Sequence, residues 1–283
     1  MNTYRLSRRQ APTLLAYAVV ILASITAIFP IYWMVATSLK TRWDSWRLPP
    51  KWIFVPTLEN YVSVFTGEGW NATPMGSLLG HSLIISVSAT ILAIFAGSMT
   101  AYSLARFPHT KGSRQFAGWV LSTRVLPPVV VALPIFAMMQ RLNLVDTYPG
   151  LIIPYMAFNL PFVVWMLKGF FEGIPEDLEH SAMVDGATRW QAFRMISLPL
   201  VAPGIAATAV LIWTLSWNEF LFALLLTRSL KTAPVSVTEF VTMYGIEWGQ
   251  LTATASMMAL PPLILTTLVQ KHLVKGLTFG AVK

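Results

Sequence analysis

The 283-residue sequence is 55% hydrophobic and only 11% charged, with a net charge of +8 and no cysteine. Because a soluble domain carries about 25% charged residues, this composition excludes an ordinary soluble protein and indicates an integral membrane protein with several spans. The absence of cysteine excludes disulfides, a catalytic thiol and a cysteine-based zinc site, and the basic excess is typical of loops that face anionic membrane lipid, so no nucleic-acid partner is expected.

Six apolar segments follow a basic tail at residues 1–12. A helix needs about 20 apolar residues to cross a bilayer, and each segment is long enough. The segments are 13–38, 78–105, 116–139, 150–171, 201–226 and 251–270. We therefore predict an all-α membrane protein with six transmembrane helices, a membrane domain at 13–271 and a tail at 272–283.

Pairs of prolines interrupt two of the predicted spans. Pro127 and Pro128 lie in the third span, and Pro261 and Pro262 lie in the sixth. Proline removes a helical hydrogen bond and leaves a carbonyl group free, which is tolerated at membrane depth where protein or water satisfies that group. The pairs therefore predict bent helices of the kind that border a translocation path.

Few charged side chains lie well inside the predicted spans. Arg124 and Glu219 are the strongly charged ones, and we do not expect them to pair because their depths differ by roughly 15 Å at 1.5 Å per residue. Asn159 lies close to Pro161, and Asn218 precedes Glu219. The residues Asn159, Asn218 and Glu219 either line a polar pathway or form polar contacts between helices.

The distribution of basic residues predicts the orientation. Six spans put both termini on the same side, and placing them in the cytoplasm gives twelve Lys and Arg residues inside and seven outside. Cytoplasmic loops carry the excess of basic residues. We therefore predict an N-in, C-in topology, with cytoplasmic tails at 1–12 and 272–283 and a cytoplasmic loop at 172–200.

The loop 172–200 is the longest interior stretch with a high density of charge. Its pattern predicts a helix, a glycine break and a second helix. Pro175 suits a first helical position, Gly186 suits the left-handed conformation that ends a helix, and Pro199 is predicted to end the second helix. The pattern alone is typical both of a solvated hairpin between two spans and of a docking site for a partner.

The second helix of this loop has its own start signal. Thr188 is followed three residues later by Gln191, which predicts a capping box. Trp190 and Phe193 are spaced to share one helical face, and large aromatic side chains dominate many interfaces. The two rings are therefore candidate anchors for a partner.

The motifs of several enzyme classes are missing. The sequence contains no phosphate-cradling G-x-x-x-x-G-K-[ST], no H-E-x-x-H and no G-x-S-x-G. These absences argue against ATP binding through a P-loop, a zinc protease and a serine hydrolase. We predict that the chain is not an enzyme and binds no cofactor or metal itself.

Several segments together resemble a known family. Asp185-Gly186-Ala187-Thr188, Phe193 and Leu198-Pro199-Leu200 resemble the cytoplasmic E-A-A loop of permease subunits in binding-protein-dependent ABC importers. The chain is similar, more narrowly, to the MalG-type carbohydrate permeases, and the segments 101–107, 146–150, 217–220 and 275–283 extend the resemblance along the chain. It departs from the motif at one place, because His180-Ser181-Ala182 stands where Glu-Ala-Ala is usual and Glu179 lies one position early.

The resemblance implies a type I ABC importer permease with the MetI-like fold, in the bacterial inner membrane. It implies coupling of the loop 172–200 to partner ATPases. The residues that the resemblance places in that role are Glu179, His180, Ser181, Ala182, Asp185, Gly186, Ala187, Trp190, Phe193, Leu198 and Pro199.

The resemblance also implies partners. These are a MalF-like second permease subunit, two ATPase subunits that hold ATP and Mg, a periplasmic solute-binding protein that meets the loop 227–250, a sugar substrate, and membrane lipid. The alternative is a stand-alone secondary transporter or channel, which predicts ionisable residues near mid-membrane and often an internal repeat. Only Arg124 and Glu219 fit the first expectation, and no clear repeat is present.

Overall fold

The computed structural model describes residues 10–68, 73–110, 112–123 and 126–278, so Arg124 lies outside the described residues. The described chain is mostly helical. The helices are α1 (Gln10–Ser38), α2 (Arg42–Trp46), α3 (Glu59–Thr66), α4 (Met75–Arg106), α5 (Ser113–Ser122), α6 (Pro128–Arg141), α7 (Tyr148–Glu172), α8 (Asp177–Val184), α9 (Arg189–Ala192), α10 (Leu198–Trp217), α11 (Leu221–Leu226), α12 (Ala233–Ser236) and α13 (Trp248–Thr278). A 3-10 turn at Val237–Phe240 leads into a hairpin of β1 (Val241–Thr242) and β2 (Gly245–Ile246).

Five helices in the described part of the chain are long and apolar enough to cross a membrane. They are Leu15–Ser38, Met75–Arg106, Tyr148–Glu172, Arg189–Trp217 and Trp248–Gln270. Four of them match predicted spans to within about three residues, and Arg189–Trp217 overlaps the predicted fifth span, 201–226. Pro261 and Pro262 lie inside the unbroken helix α13.

The predicted third span is two shorter helices, α5 and α6, rather than one. Pro127 has φ −61° and ψ 132°, an extended conformation outside the helix, and Pro128 is the first residue of α6. The reason is local, because the ring of Pro128 clashes with a helical conformation of the residue before it. Pro128 itself suits a first helical position, where its missing N–H costs nothing.

The predicted fifth span begins and ends differently from the expectation. The prediction that Pro199 ends the second loop helix is wrong, because a π-helical segment at Phe193–Ser197 joins α9 to α10 without a break. The N–H of Leu198 donates to the carbonyl of Phe193, five residues back, and Pro199 then falls in the first turn of α10. At the other end, α10 stops at Trp217 and α11 begins at Leu221.

The chain divides into two compact units. The first comprises Met1–Pro74 and Val237–Met257. In it the amide of Asn60 donates to the carbonyls of Ser38 (2.9 Å) and Lys40 (2.7 Å), and therefore satisfies the end of α1. Lys40 is buried with its ammonium group 4.3 Å from the ring centroid of Trp33, and burial lowers its pKa.

The second unit comprises Met75–Ser236 and Met258–Lys283. Its centre is the packing of α4 against α7, with α10 against both. Glycines allow this approach, since a Cβ atom at Gly97 would lie 2.4 Å from Val163 and one at Gly204 would lie 2.5 Å from Phe170. Small residues at helix contacts are the usual means by which membrane helices pack closely.

Candidate functional site

The loop 172–200 has the predicted helix, break and helix. The chain leaves α8 in a Schellman turn, in which Gly186 adopts φ +94° and the N–H of Ala187 donates to the carbonyl of Ala182 at 2.9 Å. The capping box of Thr188 and Gln191 is present in both directions. The predicted helical start at Pro175 is wrong, because α8 begins two residues later, at Asp177.

Glu179 on α8 is buried, with 3% of its surface exposed, and its carboxylate accepts hydrogen bonds from three side chains on two other elements. Arg106, the last residue of α4, donates through Nε at 2.8 Å. Tyr102, one turn earlier on α4, donates its hydroxyl proton at 2.7 Å. Ser197, at the end of the π-helical segment, donates from its hydroxyl at 2.5 Å. We call these four residues the Glu179 junction.

Arg106 connects the same junction to the end of α7. Its guanidinium lies 2.7 Å from the Glu179 carboxylate through Nη2, and 4% of its side chain is exposed. Nη1 and Nη2 also donate to the backbone carbonyls of Phe171 (3.0 Å) and Ile174 (3.2 Å). A guanidinium can hold several acceptors at once in one plane. One side chain thus ties α4, the carboxyl end of α7 and α8 together.

The charge state of Glu179 follows from these contacts. Burial raises the pKa of its carboxyl, but the hydrogen bonds from Arg106, Ser197 and Tyr102 outweigh burial and hold the pKa below its usual value. The carboxylate is therefore ionised at neutral pH. The junction therefore contains a buried ion pair in which each side-chain nitrogen and oxygen atom has a hydrogen-bond partner.

Aromatic rings cover the junction from the side of the π-helical segment. Phe193 is 4% exposed, and its ring centroid lies 4.7 Å from that of Tyr102 and 5.3 Å from that of Trp190. Tyr102 also meets Phe171 at 5.5 Å in an edge-on arrangement. Trp190 itself is 55% exposed. Of the two predicted anchors, Trp190 faces outward and Phe193 packs inside the subunit.

The other candidate residues of this loop divide in the same way. Val184, which the sequence analysis did not single out, is 88% exposed, and Met195 is 71% exposed. The candidates on the exposed side are His180, Ser181, Asp185, Gly186, Trp190 and Pro199, while Ala182, Ala187 and Leu198 are half-buried and Glu179 and Phe193 are buried. The loop thus has an inner face that packs on the helices and an outer face that is exposed in the described chain.

A second carboxylate junction lies at the opposite end of α7. Asp146 precedes the N-cap residue Thr147 and has φ 61°. Its carboxylate accepts the backbone N–H groups of Arg228 (2.8 Å), Ser229 (3.0 Å) and Leu230 (2.9 Å), and also the hydroxyl of Ser229. We call these four residues the Asp146 junction. Partial burial raises the pKa of Asp146, but these hydrogen bonds prevail and lower it from 3.8 to about 2.

The segment after the Asp146 junction is fastened at two further points on α4. His81 Nδ1 lies 3.1 Å from the carbonyl oxygen of Lys231, and Ser82 accepts the N–H of Ala233 at 2.8 Å. His81 also meets the ring of Tyr148 edge-on, with 5.9 Å between centroids. The loop between α11 and α12 is therefore held against the starts of α4 and α7.

The three candidate pathway residues occupy different environments. Asn159 is buried between α7 and α10 and donates to Ser216 at 2.9 Å. Asn218 is exposed at the end of α10. The Glu219 carboxylate accepts the N–H groups of Phe222 (3.0 Å) and Ala223 (3.2 Å), so it caps the start of α11. Each of the three side chains thus has its own hydrogen-bond partner, since the Asn218 amide donates to the carbonyl of Thr214 at 2.9 Å.

Sequence reasoning did not assign roles to Arg106, Tyr102, Ser197 or Asp146. The first two lie in the segment 101–107 and Asp146 in 146–150, segments that were noted only for their resemblance. The available signal was the position of Arg106, a basic residue that ends a long uncharged helix. Nothing in local spacing connects it with Glu179, 73 residues later.

Long apolar helices, joined by a polar loop with one buried and one exposed face, define a multi-pass membrane protein. The family described as the inner membrane component of binding-protein-dependent transport systems matches residues 89–279. The chain belongs to this family. It is therefore a transport component of an inner membrane.

Curated relatives match almost the whole chain. The trehalose transport system permease protein SugB of Mycobacterium tuberculosis is 36% identical over 91% of this chain and 93% of its own length. The trehalose/maltose transport system permease protein MalG of Thermococcus litoralis is 34% identical over 93% and 94%. The sulfoquinovosyl glycerol permease protein SmoH of Agrobacterium fabrum is 33% identical over 92% and 90%.

Solved structures share the fold. A chain of a bacterial ABC transporter involved in the import of the acidic polysaccharide alginate superimposes with a TM-score of 0.76 at 21% identity, covering 95% of this chain and 99% of that one. A chain of the MetNI methionine ABC transporter in an inward-facing conformation gives a TM-score of 0.56 at 15% identity, covering 71% and 97%. The expected fold of ABC importer permeases is confirmed.

Proposed function

We propose that this chain is the permease subunit of an ATP-driven importer for a sugar or sugar derivative. The support for the substrate class is that the relatives above are named for trehalose, maltose and sulfoquinovosyl glycerol. The chain itself does not hydrolyse ATP in this proposal. It receives mechanical work through the loop 172–200.

The observation that carries the proposal is the division of this loop into two faces. The inner face is tied to α4 and α7 through the Glu179 junction. The outer face presents large apolar side chains, Val184 and Trp190, beside the polar side chains of His180 and Asp185. An exposed aromatic with apolar neighbours and a polar surround is typical of a protein interface. The outer face would contact an ATPase subunit.

The remaining partners follow from the same proposal. Two ATPase subunits would hold ATP and Mg, a MalF-like second permease subunit would complete the membrane domain, and a periplasmic solute-binding protein would deliver the substrate. Helix α1 supports the need for further contacts, since its apolar side chains from Leu15 to Ile31 are exposed in this chain. Lipid and the second permease would cover them.

We retain the predicted topology of six spans with both termini in the cytoplasm, in which α5 and α6 together form the third span. Asn159, Asn218 and Glu219 stay proposed as polar residues along the translocation path. The break between α10 and α11 supports this for Asn218 and Glu219, because non-helical backbone at membrane depth is tolerated where it lines a cavity.

The absence of native cysteines allows a direct test. Val184→Cys is placed on the outer face of the loop, and Met243→Cys, at a residue that is 96% exposed, is placed at the tip of the hairpin as a matched control. We expect Val184→Cys to cross-link to the ATPase subunit and to resist a membrane-impermeant maleimide in intact cells. Met243→Cys should react with the maleimide and should not cross-link to the ATPase. The reverse pattern would refute both the topology and the docking face.

A further inference from the structure

We propose that Arg106 and Glu179, with Tyr102 and Ser197, are positioning residues that make the loop 172–200 and the ends of α4 and α7 a single rigid body. If the loop is rigid, its movement is transmitted to the membrane helices, and this consequence rests on the proposed function. The residues do not contact a partner. They act by fixing the loop that does.

The first argument is the number of elements that meet at one carboxylate. Glu179 belongs to α8, Tyr102 and Arg106 to α4, and Ser197 to the segment that continues into α10. Arg106 adds the carbonyl of Phe171 in the last turn of α7 and the carbonyl of Ile174 just after it. A load applied to α8 therefore reaches three membrane helices through direct hydrogen bonds, without an intervening flexible segment.

The second argument is the physical chemistry of a buried ion pair. Removing two charges from water is unfavourable, and apolar residues of similar volume often stabilise a fold as well or better. A buried pair is therefore a weak explanation of stability alone. The ion pair instead fixes the relative orientation of the elements that it joins. A guanidinium and a carboxylate have few acceptable hydrogen-bonded arrangements, whereas apolar side chains can slide past each other.

The third argument is a contrast within the same region. Lys168 and Glu172 form an ion pair on one helix, α7, with 21% and 48% of their side chains exposed. That pair joins no two elements and is partly exposed. It serves as a matched control. Its removal deletes one basic and one acidic side chain near the end of α7, without removing a contact between two helices.

The test uses the assembled transporter with the binding protein. The variants are Glu179→Gln, the double variant Arg106→Met with Glu179→Met, and the control Lys168→Met with Glu172→Met. Leaving one buried charge unpaired is worse than removing both. We therefore expect Glu179→Gln to lower the amount of assembled complex and the double variant to restore it.

Two measurements separate a positioning role from a structural one. The first is the distribution of distances between spin labels at Leu178→Cys and Phe95→Cys, both exposed positions, in otherwise unchanged and variant complexes. The second is the amount of substrate taken up per ATP hydrolysed. We expect the double variant to broaden the distance distribution and to lower uptake per ATP by about tenfold. A factor of this size is typical of the coupling between distant sites. The control should change neither.

The proposal is overturned if the double variant leaves uptake per ATP unchanged. This holds whether the distance distribution stays the same or broadens. Failure of the proposed function gives a different result, because the unmodified complex would then show no uptake driven by ATP. In that event the distance distribution still decides whether the junction holds the loop rigidly.

Discussion

Two carboxylates, Asp146 before the start of α7 and Glu179 on the helix that follows it, are held by different kinds of donor. Glu179 is bound by three side chains, one of them a buried cation. Asp146 is bound mainly by three consecutive backbone N–H groups. A side-chain junction depends on each of its residues, whereas a backbone junction depends almost entirely on the acid. The Glu179 junction should therefore be easy to break from several positions, and the Asp146 junction from one.

The largest expected effect is from Glu179→Ala. The change leaves the Arg106 guanidinium buried without its counter-ion, which typically costs about 3–5 kcal/mol. We expect strongly reduced protein in the membrane and a lowered thermal unfolding temperature of the purified complex. Glu172→Ala, at a more exposed position of α7, is the control and should change stability by less than about 0.5 kcal/mol. Equal behaviour of the two variants would show that the ion pair does not hold the loop.

Asp146→Ala should have a smaller effect. It removes the acceptor of three N–H groups, which solvent can partly replace because the site is not fully buried, so we expect a loss of about 1–3 kcal/mol. Asp146→Asn keeps one acceptor oxygen and tolerates the positive φ, and should lose less. Limited proteolysis between α11 and α12 is the measurement. If Asn and Ala variants are cleaved as slowly as the unchanged protein, the backbone junction is not what fastens this loop.

The pH dependence of the Asp146 junction follows from its lowered pKa. Because the folded pKa of about 2 lies below the ordinary value of 3.8, the stabilisation is complete above that ordinary value and is lost as the pH falls toward 2. The difference in thermal unfolding temperature between the unchanged protein and Asp146→Asn should therefore be constant above about pH 5 and shrink below about pH 4. A difference that grew on acidification would contradict the assigned charge.

A pair of serines provides the finest comparison. Ser197 donates to Glu179 in a buried site and Ser229 donates to Asp146 in an exposed one. Ser197→Ala removes a hydrogen bond to a buried charge and should cost about 1.5–3 kcal/mol, while Ser229→Ala should cost about 0.5 kcal/mol because water and three N–H groups remain. Thermal unfolding of both variants, side by side, measures the difference. Indistinguishable losses would mean that burial does not separate the two junctions.

Local signals predicted much of the loop and most of the helices. Gly186, Thr188 and Gln191 could be assigned because glycine tolerance of positive φ and a capping box are decided within a few residues. The long apolar runs predicted five spans that the structure contains. Pro199 was misjudged, because a preceding π turn let the helix continue past a residue that usually ends one.

The sequence by itself determined that this is a membrane protein with a polar two-helix loop, because hydropathy and capping are properties of neighbouring residues. Only the tertiary structure decided that Glu179 and Phe193 face inward while Trp190 and Val184 face outward. It also decided that Asp146 binds a loop 82 residues away. The physical reason is that burial and pairing of a charge depend on which helices pack together, and that packing joins residues whose separation along the chain carries no periodic signal.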